Sequence, residues 1–438
     1  MIKRSYIYIL LWIPIVYACQ LDPLPEDELP SFNKLYAVSE NVEAVDFICK
    51  PDQSGYIILG NLKTNENSDI FLIDVSPDGM QRKLNRITTP FFDEAVKLKI
   101  NEVDNSIIIL GNRRTEATQA NVYQNILLKA NMEGVPVKAE NALDSDSIEA
   151  EIKIITDNQN SPYKLNDFII VPPHLITVGS IRQSPTGNFS EITRIYDWNS
   201  INFSDTSDVD ILMTRQKPEM GQIPYNNSRN LKVLKGNHEN AIYEVFGQSF
   251  RGNPNDESIE SSDNISWNIY TSIQSSASEP IFIGTDKNEA FGNVLYHSNR
   301  KTYIAGNYTS EDQNSLFLIT KEYNGRNNNT NQNIYSFAEY GTKISSLTED
   351  AEQNIIIATI EEGTLNNISY LLKFSPSGAP IEVMNENQEM EIKNIQFPST
   401  GFYNIKKIES ETNNTVVILS QKAFENNSTA IGLMKIKF

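Results

Sequence analysis

Few side chains in this sequence stand where they could do chemistry together. The three histidines, His174, His238 and His297, are too far apart for the short spacings of a zinc site, so each is expected to be an ordinary core or surface residue. Asp205, Asp208 and Asp210 crowd one stretch, but the glycine and distal glutamate of an EF-hand loop are missing, which leaves a solvated surface loop. No Cys/His zinc pattern, glycine-rich phosphate loop or G-x-S-x-G elbow occurs. No catalytic set, metal site or cofactor is therefore expected. Glycoside cleavage needs two carboxylates at a defined separation, one of them protonated. With 56 Asp and Glu residues, almost any pair qualifies and none is singled out. The best contact candidates are Phe250, Arg251, Asn253 and Asp256, in residues 248–266, expected as a loop between two strands. An aromatic face ringed by hydrogen-bonding groups suits a sugar or a peptide. The alternative for that stretch is a flexible solvated loop. Trp267, just beyond it, opens a strand-like run and is expected in the core.

Both cysteines have separate roles. Lys3 and Arg4 precede an uncharged, mostly apolar stretch from Ser5 to Ala18. That stretch is short for a bilayer span, which needs about 20 apolar residues, and suits the apolar region of a signal peptide. It ends Val16-Tyr17-Ala18-Cys19, which resembles the lipobox of bacterial lipoproteins, although Tyr17 departs from the usual small or hydroxyl residue. The resemblance implies cleavage before Cys19 and attachment of acyl lipid, palmitate or a similar chain, to its sulfur. Ordinary cleavage after Ala18, giving a secreted protein, is the alternative. The residues that follow, Gln20 to Glu28, are rich in proline and acid and read as an extended tether. An acidic stretch at this position resembles the surface-export signal of Bacteroidota lipoproteins, and implies an outer-membrane protein of the cell envelope displayed outward. Asp146-Ser147-Ile148 resembles the O-glycosylation site of exported proteins from the same group, with a plain acidic loop as the alternative. Cys49 is then alone, within the strand-like Val45 to Cys49, and is expected to be a buried structural thiol.

Formal charge is −19, and removal of residues 1–18 takes away two basic and no acidic residues, leaving 35 basic against 56 acidic, or −21. Such a chain repels phosphate backbones, so nucleic acid is not an expected partner.

The elements that must position any site are short runs rich in Ile, Val, Tyr, Phe and Thr, broken by Asn, Ser, Asp and Gly, an all-β signature. One run recurs: Tyr56 to Asn61, Ile107 to Asn112, Leu175 to Gly179, Tyr243 to Gly247 and Thr302 to Asn307, each with a glycine, then Ile355 to Thr359 and Val416 to Ser420 without one. The anchor positions 60, 111, 179, 247, 306, 359 and 420 recur at a nearly even spacing. The anchor glycine is expected where the second strand breaks into a loop, clear of the neighbouring blade. A second apolar run and a turn such as Ser76-Pro77-Asp78-Gly79 follow, and another apolar stretch precedes. Each unit therefore reads as four strands. The expected fold is an all-β, seven-bladed β-propeller of four-stranded blades over residues 32–438, behind a signal peptide (1–18) and a tether (19–31). A β-helix, with shorter and more even repeats, is the rival. The chain ends on what reads as a third strand, Ile431 to Phe438, so Phe32 to Val38 is expected to supply the fourth and close the ring.

The rhythm resembles the propeller-type repeats of Bacteroidota surface lipoproteins, whose function is unassigned. That speaks to fold and not to activity; the lipobox, the missing catalytic motifs and the shortage of histidine make the expectation a membrane-anchored, non-catalytic binding or display protein whose partner is a glycan, a peptide or a protein. The alternatives are a glycan-cleaving propeller hydrolase and a structural subunit of an outer-membrane complex.

Overall fold

Short runs with apolar side chains on both faces, ended by turn formers, are extended segments that pair rather than coil. The computed structural model describes residues 32–36 and most of 41–438. Outside the described residues lie 1–31, 37–40, 65–66, 115–122, 138–151, 156–162, 183–188, 204–208, 218–225, 237–240, 252–261, 275–280, 284–287, 299–300, 310–313, 322–332, 338–339, 362–367, 386–387, 398–403, 412–413 and 425–427. Cys19, His238, Asn253, Asp256, Asp205, Asp208 and the 146–148 triplet fall among these. The described chain is nearly all β. Its one helical element is a 3-10 turn, Trp198–Ser200, and none of its helices is long and apolar enough to cross a membrane.

The strands follow one another in antiparallel units of four. After β1 (Phe32–Tyr36), the first unit is β2 (Val42–Cys49), β3 (Tyr56–Lys63), β4 (Ser68–Val75) and β5 (Gln81–Ile87). The second is β6 (Phe92–Asn101), β7 (Ser106–Arg114), β8 (Gln124–Ala130) and β9 (Ile152–Ile154), joined to the first by one parallel bridge between Ser68 and Phe92. The third is β10 (Tyr163–Val171), β11 (His174–Arg182), β12 (Phe189–Asp197) and β13 (Ile211–Lys217). The fourth is β14 (Asn226–Lys235), β15 (Tyr243–Arg251), β16 (Ser262–Tyr270) and β17 (Ile281–Ile283). The fifth is β18 (Asn288–Tyr296), β19 (Thr302–Thr309), β20 (Asn314–Lys321) and β21 (Asn333–Phe337). The sixth is β22 (Lys343–Glu349), β23 (Ile355–Glu361), β24 (Ile368–Phe374) and, after a small hairpin of β25 (Glu382–Met384) and β26 (Met390–Ile392), β27 (Asn394–Phe397). The last is β28 (Ile405–Glu411), β29 (Thr415–Ala423) and β30 (Thr429–Lys437). The free edge of β30 pairs antiparallel with β1, Phe32 opposite Lys435 and Tyr36 opposite Ile431.

Apolar clusters sit between consecutive units. Ile57, Leu59 and Ile70 of the first meet Leu98, Ile107 and Ile109 of the second. Tyr303 and Leu316 of the fifth meet Ile355 and Leu372 of the sixth. Val417, Leu419 and Leu433 of the last unit meet Phe47, Ile58 and Phe71 of the first. Trp267 is fully buried, in the middle of β16 rather than at its start, with its indole N–H donating to Glu244 Oε2 at 2.7 Å.

The anchor glycines do not end strands. Each lies inside the second strand, opposite a β-bulge in the first. Gly60 pairs with Ala44 just before the irregularity at Ala44/Asp46. Gly111 faces Ala95 before Ala95/Lys97, Gly179 faces Leu165 before Leu165/Asp167, and Gly306 faces Phe291 before Phe291/Asn293. Thr359 and Ser420 hold the same position opposite Ile344 and Ile405. A bulge bends the first strand toward its partner, and the space that remains is too small for a side-chain carbon. A Cβ on Gly306 would fall 2.4 Å from the Ala290 carbonyl oxygen and 2.7 Å from the Phe317 ring. The crowding comes from the glycine's own unit, not from the neighbouring one. The residue after the glycine has its own task. Asn61 Oδ1 accepts from Ala95 N–H at 2.8 Å, and Asn112 Oδ1 accepts from Leu165 N–H at 2.9 Å, each stapling one unit to the innermost strand of the next.

Candidate functional site

The seven bulges place seven side chains at equivalent register positions on the innermost strands: Asp46, Lys97, Asp167, Lys232, Asn293, Ser346 and Lys407. Several of them tie neighbouring units together. Asp46 Oδ2 accepts from Leu98 N–H at 3.2 Å, Asp167 Oδ2 from Val233 N–H at 3.1 Å, and Ser346 Oγ from Ile408 N–H at 3.1 Å. Lys407 joins the last unit to the first, donating to the Phe47 carbonyl at 2.6 Å and pairing with Asp46 at 2.8 Å.

Charges along these strands are paired closely. Asp46 is held between Lys407 at 2.8 Å and Lys97 at 3.2 Å. Lys407 also meets Glu409 at 2.6 Å, and Lys99 meets Asp167 at 3.8 Å. Nearer the start of the strands, Lys63 meets Glu43 at 2.8 Å and Lys164 meets Glu94 at 3.1 Å. Burial works against the ionisation of Asp46, but Lys407 and Lys97 outweigh it and hold the carboxyl well below the usual range. Burial likewise works against the Lys407 ammonium, and Asp46 with Glu409 overcomes it, so that lysine is held protonated more firmly than usual.

Two lysines lack such a contact. Among the described residues, neither Lys232 nor Lys406 has a carboxylate within ion-pair distance. Burial, with a smaller contribution from Lys97, pushes Lys232 down to about 8, only partly opposed by Asp167 and Asp46. Burial also lowers Lys406, with Lys343 and Lys63 adding to the effect and Glu43 opposing it. Both lysines line a cavity of about 590 Å³. Its other walls include Asn166, Asn307, Thr342 and Asn404. It opens where the innermost strands begin, since Thr342 directly precedes β22 and Asn404 directly precedes β28.

A second cavity, of about 720 Å³, lies at the opposite end of the strands, around Cys49, Tyr56, Asp350 and Glu411. Two of its carboxylates are already paired: Lys373 meets Asp350 at 2.9 Å and Lys435 meets Glu411 at 2.5 Å. Cys49 is half-buried, and burial, reinforced by Glu409, pushes its thiol far above the ordinary range, so it is not a reactive thiolate.

Of the residues singled out from sequence, Phe250 and Arg251 lie on a strand rather than in a loop. β15 runs on to Arg251 and β16 starts at Ser262, so Phe250 pairs with Asn226 and Asp263. The alternation of apolar and polar residues is lost after Gly247, so the hairpin reads as shorter than it is. Both sit at the end of their unit where β14 begins, the end at which the cavity opens. The lysines of the cavity were missed. The signal for Lys232 is a position on the strand before each anchor run, occupied by Asp46, Lys97, Asp167, Lys232, Asn293, Ser346 and Lys407, and Lys406 is the residue just before that position in the last unit. It becomes visible only when the bulges supply the alignment.

No family model matches this chain, and no curated protein matches it by sequence. Solved structures do resemble it. The polysaccharide lyase Uly1 superposes with a TM-score of 0.51 at 10% identity, covering 88% of each chain. An α-L-arabinanase of Penicillium chrysogenum, complexed with arabinobiose, gives 0.45 at 12% identity, over 78% of this chain and 92% of that one. The GH93 α-L-arabinofuranosidase of Fusarium graminearum gives 0.41 at 7%, over 79% and 92%. The repeated four-stranded units, with the likeness to Uly1, make this a nearly all-β, propeller-like fold.

Proposed function

We propose that this chain is a lipid-anchored, non-catalytic binding protein of the cell envelope, and that it holds a saccharide in the cavity at the start of its innermost strands. In this reading the seven units are blades of one ring, closed by β1 against β30, and Cys19 carries the lipid of an outer-membrane protein displayed outward. The observation that carries the proposal is the cavity wall. Asn166, Asn307, Thr342 and Asn404 offer amide and hydroxyl groups of the kind that exchange hydrogen bonds with sugar hydroxyls. Phe250 and Arg251 stand at the same end and are proposed as an outer contact, together with Asn253 and Asp256.

Glycan cleavage is the second reading, favoured by the likeness to a polysaccharide lyase. Against it stands the chemistry of the inner carboxylate whose ionisation is most displaced. Asp46 is clamped by two lysines and held ionised, which suits it to fixing them in place rather than to donating a proton to a leaving group.

The test uses the chain from residue 20 on an array of neutral and acidic glycans, beside the same chain with Thr342→Trp, which fills the cavity mouth. Capture of a glycan by the native chain and its loss in the variant is the expected result. Capture of none, or capture that the tryptophan leaves unchanged, overturns the site. Release of the full-length protein from the membrane fraction by Cys19→Ala is the companion result for the anchor; continued partitioning with membranes would refute it.

A further inference from the structure

We propose that the cavity recognises the anionic group of an acidic saccharide, a carboxylate or a sulfate, held between Lys232 and Lys406. This rests on the saccharide-binding reading above and names the class of sugar.

Charge counting along the innermost strands leads there, taken from three residues before each bulge position to two after it. The first unit contributes Glu43 and Asp46, the second Glu94, Lys97 and Lys99, and the third Lys164 and Asp167. The fourth contributes Arg229 and Lys232, the sixth Lys343, and the last Lys406, Lys407 and Glu409. The corresponding stretch of the fifth, Ala290 to Leu295, carries no charge. Every one of those five carboxylates already has a lysine at 2.6–3.8 Å. Lys232 of the fourth unit and Lys406 of the last are left without such a partner among the described residues, and both line the cavity. The chain as a whole carries a formal charge of −19, so these cations are not a general property of the surface.

An unpaired lysine in such a place costs stability. Placing an ammonium where burial opposes its charge, with no carboxylate in contact, is unfavourable by itself. Lys232 is in that position, and the same register position holds the neutral Asn293 and Ser346 in the next two units. A neutral residue therefore fits the scaffold, and a lysine at this place calls for a reason outside folding. An anion supplied by a ligand provides one, because it completes the pairing that the other lysines already have. The amide and hydroxyl groups around the lysines make a bare ion an incomplete match, whereas an acidic sugar uses both kinds of group.

The experiment measures binding by titration calorimetry. The probes are a tetramer of galacturonate, its fully methyl-esterified form, a sulfated oligosaccharide of similar length and inorganic sulfate. Proteins are the native chain from residue 20, Lys232→Met and Lys406→Met. Binding of the galacturonate tetramer or the sulfated oligosaccharide, with the ester at least about 10-fold weaker, is expected. The two acidic probes report which anionic group is preferred. Each lysine variant should weaken the acidic probe by about 10- to 100-fold, the usual worth of one charged hydrogen bond. Lys232→Met should also melt at or above the native temperature, which separates a lost contact from a lost fold. Raising the pH through 8 should weaken binding, because Lys232 then loses its proton. Equal binding of tetramer and ester, or capture of neutral glycans only, overturns the acidic class while leaving the cavity as a saccharide site. Binding of inorganic sulfate but of no saccharide overturns the saccharide. Undiminished binding by both lysine variants overturns the assignment of the residues.

Discussion

Truncating Phe32 to alanine tests how much the N-terminal strand contributes to the core. Phe32 is 6% exposed and belongs to one apolar cluster with Tyr36, Phe47, Tyr56, Phe71, Val417 and Leu433, drawn from both ends of the chain. Its ring lies 5.9 Å from that of Tyr56. It also packs on the turn Ser76 to Met80, where Gly79 has φ +81° and a Cβ would fall 2.5 Å from the ring. Farther along β1, Tyr36 Oη donates to the Gly79 carbonyl at 2.7 Å. Replacing a buried phenylalanine by alanine costs about 3–5 kcal/mol. With an unfolding entropy of about 2.1 cal/mol/K per residue over about 400 residues, that lowers Tm by about 4–6 °C. The assay is a thermal melt of the chain from residue 20, followed by calorimetry. Leu35 on the same strand is 44% exposed, so Leu35→Ala serves as the control and should move Tm by less than about 1 °C. If Phe32→Ala melts with the native protein, β1 lies beside the core without supporting it, and the reasoning fails.

Two further outcomes follow from the innermost strands. Asp46→Asn leaves Lys407 and Lys97 without their shared carboxylate and should cost about 3 kcal/mol in urea unfolding at pH 7, the low end for a broken buried pair because both lysines keep some exposure. The folded protein holds Asp46 below its unfolded value of about 3.9, so this stabilisation is complete above that pH and is lost as the pH falls below it. The gap between native and Asp46→Asn should narrow below about pH 4, and a gap that widens there would contradict the pairing. Among the anchors, Gly179→Ala and Gly306→Ala each bring a Cβ to 2.4 Å from a backbone oxygen, whereas the nearest atom to a Cβ on Gly111 is 3.0 Å away. The first two should cost about 1–3 kcal/mol and Gly111→Ala less, as read from chemical denaturation; the reverse order would refute the close-approach account.

Much of the strand content was legible in the residues. Tyr56 to Asn61 and Ile107 to Asn112 mark β3 and β7 because alternate faces of a strand between two packed units are both apolar. Ser76-Pro77-Asp78-Gly79 marks its turn because the glycine takes a positive φ there. The end of the second strand was misplaced at each anchor. A glycine in a run of strand formers reads as a break, and the bulge that requires it lies on a different strand, the one before. In sequence Phe250 and Arg251 look like loop because Asn, Pro and Asp cluster just after them, while the ladder to Asn226 and Asp263 depends on pairing across the unit.

The sequence by itself determined the strand-rich class, the repeated unit and the turns between strands, because backbone preference and apolar period are local properties of short segments. Tertiary structure decided the site. Lys232 lies in the fourth unit and Lys406 in the last, and nothing local distinguishes them from the lysines that hold Asp46 and Asp167. They become a cavity wall only when the units pack side by side. They become a charge surplus only when the carboxylates beside them, from distant segments, are found already paired.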